Sequence, residues 1–355
     1  MKLNIQRTSN PKPKYKDESK LGFGRLFTDH MLTMYYSIED GWYDLKIKPF
    51  EDFKLSPACA VFHYGQEAFE GMKAYKRPDK SIALFRPWDN IKRMNSTCER
   101  ICAPKLPEDA VLEALYELIR LDADWIPSSP GTSLYIRPTI IATDPFLGVH
   151  PSHTYIFYII LSPVGAYYEN GLAPTKIYIE TEYVRSVKGG TGYVKTGGNY
   201  AASLVASARA EEKGCDQALW LDARERKYIE EVGSMNIFFK IGEEIVTPKL
   251  TGSILPGITR DSVIKLANKF GMKVSERLIS VDELKDAHKN GMLKEVFGTG
   301  TAAVISPVGE LMIDDDTLII NNGKMGETTS LMYDTLTGIQ NGTVKDDFGW
   351  TIKVL

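Results

Sequence analysis

The 355 residues carry 43 basic and 46 acidic side chains, a net charge of −3, with 43% hydrophobic residues. A chain of this length and composition buries a sizeable core and is neither disordered nor collagen-like. Its near-neutral charge lacks the basic excess that nucleic acid or an anionic membrane attracts, so neither is expected as a partner.

Residues 1–20 read as a flexible arm, with Pro11, Pro13 and many lysines; their polarity excludes a signal peptide. Met34–Ser37 and Trp42–Ile47 read as strands around a turn at Gly41. Ser56–Met72 is an apolar segment with Gly65 and Gly71 beside aromatics, and Ser81–Phe85 reads as a strand. Ile91, Met94 and Cys98, three and four apart, predict a helix over Pro87–Cys102. Val111, Leu112, Leu115, Ile119 and Leu121 predict another over Asp109–Asp122. Ser133–Ala142 and Thr154–Leu161 read as buried strands; the apolar run Tyr155–Leu161 is far short of the ~20 residues that cross a bilayer.

Pro163, Gly165, Gly171 and Pro174 interrupt any helix or strand period. The expected division is therefore an N-terminal domain over 1–162, a linker over 163–175 and a C-terminal domain over 176–355. Short strands follow, at Lys176–Glu182, Gln217–Asp222, Lys227–Val232, Asn236–Lys240, Glu244–Pro248 and Lys273–Leu278. Helices are predicted over Asn199–Lys213, Thr259–Phe270 and Val281–Lys289, with a last one near Thr328–Gln340. Gly214 and Gly271 follow two of them, where a left-handed residue ends a helix. Short mixed strands with interspersed helices predict an α+β fold. Cys59, Cys98, Cys102 and Cys215 match neither a disulfide framework nor a zinc finger, so no metal is expected, and a reducing cytoplasm is the expected location.

The most unusual segment is Lys188–Ser203, KGGTGYVKTGGNYAAS, with Lys195 between glycines. Glycine is favoured where a chain turns left-handed or approaches a ligand closely. A nucleotide P-loop fails because Val194 stands where a glycine must precede the lysine. A solvated lysine on a surface turn remains open, as does a lysine that bonds to the aldehyde of pyridoxal phosphate. The latter needs a desolvated amine, a carboxylate for the ring nitrogen and a phosphate cradle. Glu231, in YIEEVGSMN, is the candidate carboxylate, and its neighbour Glu230 should face the other way along a strand. LPGITRDS, Leu255–Ser262, opens a helix whose first amides suit a dianion. EVFGTGTAAV reads as a strand broken by a tight turn, a candidate anion nest or a plain hairpin. Arg137 lies in the apolar strand Tyr135–Ile140 and needs an anionic partner, internal or from a substrate.

Eight segments in order resemble the branched-chain amino acid aminotransferases: HYGQEAFEGMKAY (63–75), IKRM (91–94), LYIRP (134–138), DPFLGVHP (144–151), KTGGNYAAS (195–203), EEVGSMN (230–236), LPGITRD (255–261) and FGTGTAA (297–303). The resemblance runs from about Gly22 to the segment Phe348–Thr351. It implies fold-type IV, a smaller N-terminal α/β domain and a larger C-terminal domain built as a pseudo-barrel of short strands and helices. It also implies reversible, pyridoxal 5'-phosphate-dependent transamination of L-leucine, L-isoleucine and L-valine with 2-oxoglutarate.

By that resemblance Lys195 is the catalytic lysine and bonds the cofactor, and Glu231 keeps the ring nitrogen protonated. Tyr200 meets the cofactor's phenolic oxygen. Arg93, the amides of Ile258 and Thr259, and the Thr301 hydroxyl take the phosphate. The amides of Thr301 and Ala302 take the substrate α-carboxylate. Phe23, Tyr64, Phe69, Tyr135 and Tyr167 form an aromatic box for the aliphatic side chain. Arg137, with the Tyr64 and Tyr135 hydroxyls, receives the glutamate γ-carboxylate. Leu147 and Val149 correspond to residues that reach the neighbouring site, implying a homodimer. Ala303 and Ser306 stand where human-type relatives carry Cys-x-x-Cys, so no thiol switch is expected. The D-amino acid aminotransferases and aminodeoxychorismate lyases share the lysine machinery but not the expected combination of Tyr135, Arg137, Tyr64 and Phe69.

Overall fold

Chain contacts divide the protein, described here by a computed structural model, into two units. The structure describes residues 1–165, 172–313 and 316–355. One unit holds 1–169, 194–197 and 338–355; the other holds 170–193 and 198–337.

In the first unit the chain runs through β1 (Asn4–Ile5), β2 (His30–Ser37), β3 (Gly41–Pro49), α1 (Ala60–Tyr64), β4 (Glu67–Phe69), β5 (Met72–Lys76) and β6 (Ile82–Phe85). It continues through α2 (Pro87–Arg100), α3 (Glu108–Leu121), β7 (Ser133–Ala142) and β8 (Thr154–Val164). The sheet order is β1-β3-β2-β8-β7-β5-β6, completed by the C-terminal strand Thr351–Lys353, with β4 pairing β7. The 3.6-residue period puts Ile91, Met94 and Cys98 of α2 and Val111, Leu115 and Leu118 of α3 into one core with Leu134, Ile136 and Ile140 of β7. Because strand side chains alternate, Tyr135 and Arg137 lie on the opposite face of β7 from Leu134 and Ile136.

The N-terminal arm is not the loose tail its composition suggests. Asn4–Ile5 adds a short parallel strand to the edge of β3. The Thr8 amide donates to His30 Nε2 at 2.9 Å, and His30 Nδ1 lies 2.6 Å from Asp122 Oδ1. The Lys12 amide donates to Asp29, and Glu18 accepts from the Ser128 and Ser129 amides. Hydrogen bonds between residues this far apart along the chain leave no mark in hydropathy.

The second unit contains β9 (Thr175–Ile179), α4 (Gly197–Ala201) from its second residue on, α5 (Leu204–Glu212), β10 (Gln217–Leu221), β11 (Ile229–Val232), β12 (Asn236–Ile241) and β13 (Glu244–Pro248). Then come α6 (Ile258–Lys269), β14 (Lys273–Arg277), α7 (Val281–Lys289), β15 (Leu293–Gly300), β16 (Val304–Ile313), β17 (Asp316–Ile319) and α8 (Glu327–Asn341) as far as Thr337. Its sheet order is β11-β10-β9-β16-β15-β12-β13-β14, with β17 on β16. Both units mix helices with mainly antiparallel strands, as the α+β expectation requires. The helix predicted over Asn199–Lys213 is two helices, broken at Ala202–Ser203, where the Ser203 amide and hydroxyl both bond to the Tyr200 carbonyl. Among the described residues no helix is long and apolar enough to cross a membrane.

Candidate active site

In the first unit, the candidate residues gather around Lys195. The Lys195 amide donates to Thr97 Oγ1 of α2, and its carbonyl accepts from the Phe69 amide, both at 3.1 Å. These bonds fix the segment against β4. The amine lies 4.7 Å from the centre of the Phe69 ring. Burial pushes its pKa down to about 8, with the Glu70 charge opposing the fall and Arg93 adding to it. Gly197 packs close to Glu67: a Cβ would press on its carboxylate, which the Gly197 amide meets.

Arg93 reaches Glu70 with a two-pronged bond, Nε to Oε1 at 2.7 Å and Nη2 to Oε2 at 2.9 Å. Glu70 is wholly buried and also accepts from Asn90 Nδ2 and the Gly71 amide. Burial works to raise its pKa, but the Arg93 pair outweighs it and holds the carboxyl below the usual range. Glu70 lies inside the segment HYGQEAFEGMKAY, 63–75, but the resemblance assigns it no role there; a carboxylate beside Ala68, Phe69 and Met72 is the signal that marks it.

Arg137 donates to the Tyr135 hydroxyl at 3.0 Å and lies 4.8 Å from the Phe69 ring centre and 5.2 Å from that of Tyr135. It makes no ion pair among the described residues, and its Nε is buried without a hydrogen-bond partner. Phe23 meets the Tyr135 ring edge-on at 4.8 Å. Phe23, Phe69, Tyr135 and Arg137 therefore form one cluster. Tyr64 does not join it among the described residues: it ends α1, 43% exposed, with the His63 ring beside its own. Leu147 and Val149 are 66% and 87% exposed on the loop between β7 and β8. Tyr167 lies outside the described residues.

The second unit organises Glu231. Alternation along β11 sends Glu230 and Glu231 to opposite faces. Arg185 Nη2 lies 2.5 Å from Glu231 Oε2 and donates also to the Gly192 and Ser253 carbonyls. Glu231 Oε1 accepts from Asn236 Nδ2 at 3.2 Å and the Leu255 amide at 3.3 Å. The glycine loop packs tightly here: a Cβ on Gly192 would strike Ser186 and the Ser253 carbonyl. Arg185 has no periodic or motif signature, and sequence reasoning missed it.

Gly257 is the N-cap of α6, with no side chain capping the helix, and a Cβ there would collide with the Asn236 amide. The amides of Ile258 and Thr259 lie in the first turn of this helix. Thr301 and Ala302 lie in the turn between β15 and β16, so the hairpin reading of this loop describes its backbone. Thr299 Oγ1, at the end of β15, is buried without a hydrogen-bond partner. Val304, just past the turn, has φ +62°, a left-handed conformation that a β-branched residue adopts only under strain. Tyr200 lies in α4. Among the described residues no group of three or more His, Cys, Asp or Glu is arranged to hold a metal.

Residues 67–311 match the family model of the class IV amino-transferases. Branched-chain-amino-acid aminotransferase 2 of Bacillus subtilis is 59% identical over 352 residues, covering 99% of this chain and 97% of that protein. A probable branched-chain-amino-acid aminotransferase of Staphylococcus aureus is 53% identical, covering 100% and 98%. Among solved structures, the Escherichia coli branched-chain amino acid aminotransferase superposes with a TM-score of 0.77 at 28% identity, covering 92% of this chain and 99% of that one. The branched-chain amino acid aminotransferase of T.th., solved with pyridoxamine 5'-phosphate, gives 0.75 at 28% identity, covering 91% and 98%. With its family signature and fold both matched over most of its length, the chain belongs to the class IV aminotransferases, among the branched-chain-amino-acid aminotransferases.

Proposed function

We propose that this enzyme transfers amino groups reversibly between L-leucine, L-isoleucine or L-valine and 2-oxoglutarate, with pyridoxal 5'-phosphate as cofactor. The Lys195 amine carries the reading: it is half-buried, and desolvation depresses it to about 8, so an appreciable fraction is the neutral nucleophile an aldehyde requires. The residues fit the cofactor. The Thr299 hydroxyl, buried without a hydrogen-bond partner among the described residues, and the α6 N-terminus, which no side chain among them caps, suit a phosphate dianion. When bound, the cofactor supplies the electron sink that lets a Cα–H bond break.

In this proposal Lys195 holds the cofactor and moves the proton between the substrate Cα and the cofactor C4′. Glu231, paired with Arg185, keeps a proton on the ring nitrogen. Tyr200 donates to the phenolic oxygen. Arg93, oriented by Glu70, binds the phosphate with the Ile258 and Thr259 amides and the Thr301 hydroxyl. The Thr301 and Ala302 amides orient the α-carboxylate. Phe23, Phe69 and Tyr135, with Tyr167, exclude water around an aliphatic side chain, whose full burial contributes roughly 1.5–3 kcal/mol. Arg137, which makes no ion pair among the described residues, serves the γ-carboxylate of glutamate. The exposed Leu147 and Val149 support a homodimer in which each loop reaches its neighbour's site, working in the cytoplasm.

The test is a half-reaction spectrum of the cofactor-loaded enzyme with a panel of L-amino acids. Leucine, isoleucine and valine are expected to convert the chromophore, and D-alanine is not. Lys195→Ala should lose the borohydride-sensitive chromophore and nearly all turnover. Normal transamination by that variant would refute the assignment.

A further inference from the structure

Glu230, the neighbour of Glu231 on the opposite face of β11, lines a cavity of about 420 Å³ within the second unit. That volume lies in the range of small-molecule sites. Val187, Ala223, Ile254 and Leu278 give it apolar walls. Two exposed lysines, Lys188 and Lys249, also line it, and neither forms an ion pair among the described residues. Glu230 is 6% exposed. One of its carboxyl oxygens accepts from the Ser253 hydroxyl; the other is buried and accepts no hydrogen bond among the described residues.

A buried carboxyl oxygen without a donor is costly to keep, and a ligand donor removes that cost. Asp222, Arg224 and Glu225 line the cavity as well, so its wall carries both signs of charge and neither a simple acid nor a simple amine matches all of it. We propose that this cavity is a second ligand site, taking a small zwitterion whose ammonium meets Glu230, whose aliphatic body meets the apolar walls and whose carboxylate meets Lys188 and Lys249. Burial of Glu230, which raises its pKa against the pull of Ser253 and Arg185, is consistent with a site that completes itself on binding a cation.

The cavity is connected to the candidate catalytic acid. Ser253 donates to Glu230 through its hydroxyl and accepts from Arg185 through its carbonyl, and Arg185 pairs with Glu231. Occupancy at Glu230 therefore alters the setting of Glu231, a consequence that rests on the role proposed above for Glu231.

The probe is N-methyl-L-leucine, a zwitterionic secondary amine, titrated calorimetrically into full-length, cofactor-loaded enzyme with excess 4-methylpentanoate occupying the substrate site. One probe per chain is expected to bind. E230Q should weaken binding at least tenfold. L278W, which fills the cavity from an exposed position, should abolish it while retaining the L-leucine half-reaction. No binding to the wild type, or equal binding by both variants, overturns the site. Without 4-methylpentanoate, saturating probe should change the wild-type half-reaction rate at least twofold and leave that of S253A unchanged. An unaltered wild-type rate, or a change that persists in S253A, overturns the connection. Absence of any half-reaction would instead refute the transaminase reading and leave the binding result standing.

Discussion

Arg185 and Glu231 form an ion pair at 2.5 Å with side chains only 8% and 5% exposed. A pair so thoroughly removed from water is sensitive to loss of one member, because the survivor is stranded. Arg185→Met should destabilise the protein by about 3–5 kcal/mol, read by denaturant titration. Adding Glu231→Leu should recover part of that loss. Glu231→Gln alone should slow Cα proton removal by about 10²-fold or more in single-turnover absorbance traces, with a smaller effect on cofactor affinity. Unchanged single-turnover rates would count against Glu231 as the ring-nitrogen partner.

Arg137 should separate the two substrates. A charge-assisted bond is worth about 1.5–3 kcal/mol, or roughly 10- to 150-fold. Arg137→Leu should therefore slow the glutamate half-reaction by at least tenfold and the leucine half-reaction much less. Stopped-flow comparison of both half-reactions checks this, and equal losses would remove Arg137 from γ-carboxylate recognition.

The depressed Lys195 amine makes cofactor-free stability pH-dependent. Its ordinary pKa is 10.5 and the folded value is about 8. Between those values the unfolded chain binds more protons than the folded one, so stability rises with pH across the window. Below pH 8 both forms are charged, and burying the charge costs about 3 kcal/mol. Lys195→Met should consequently stabilise the cofactor-free protein at pH 7, with the advantage shrinking as pH climbs from 8 toward 10.5. Denaturant midpoints at pH 7 and pH 9.5 test this; a constant difference would show that Lys195 is not desolvated.

A side chain at Gly197 would press on the Glu67 carboxylate. Gly197→Ala should displace the backbone two residues from Lys195. A stability loss of about 1–3 kcal/mol is expected, the usual cost of overpacking, together with a cofactor affinity at least tenfold weaker. Equilibrium dialysis of the cofactor, alongside thermal melts, distinguishes the two effects. Wild-type affinity in this variant would mean the glycine is incidental.

Legibility in the sequence followed the physics of each element. The helices around Ile91 and Leu115 and the long pair Ser133–Ala142 and Thr154–Val164 bury regular faces, and regular faces repeat in sequence. Lys195, Glu231 and the α6 entry stood out because glycines flank them. Glu70 and Arg185 did not, since each acts through a partner distant along the chain, Arg93 and Glu231 respectively. The break at Ala202–Ser203 was hidden because a hydroxyl bonding a nearby carbonyl leaves composition unchanged. The ordered arm escaped notice for a similar reason: its proline- and lysine-rich residues are held by single bonds to Asp29 and His30.

That arm also has a manufacturing consequence. Asn4 and Ile5 run beside Lys46 and Ile47 and cover part of the outermost hydrogen-bonding row of their sheet. Trimming the first dozen residues as dispensable would bare that row and remove the amide that His30 accepts. Exposed rows of this kind recruit other chains, so a shortened protein should be purified as aggregates, whereas an affinity tag joined ahead of Met1 leaves the cover in place.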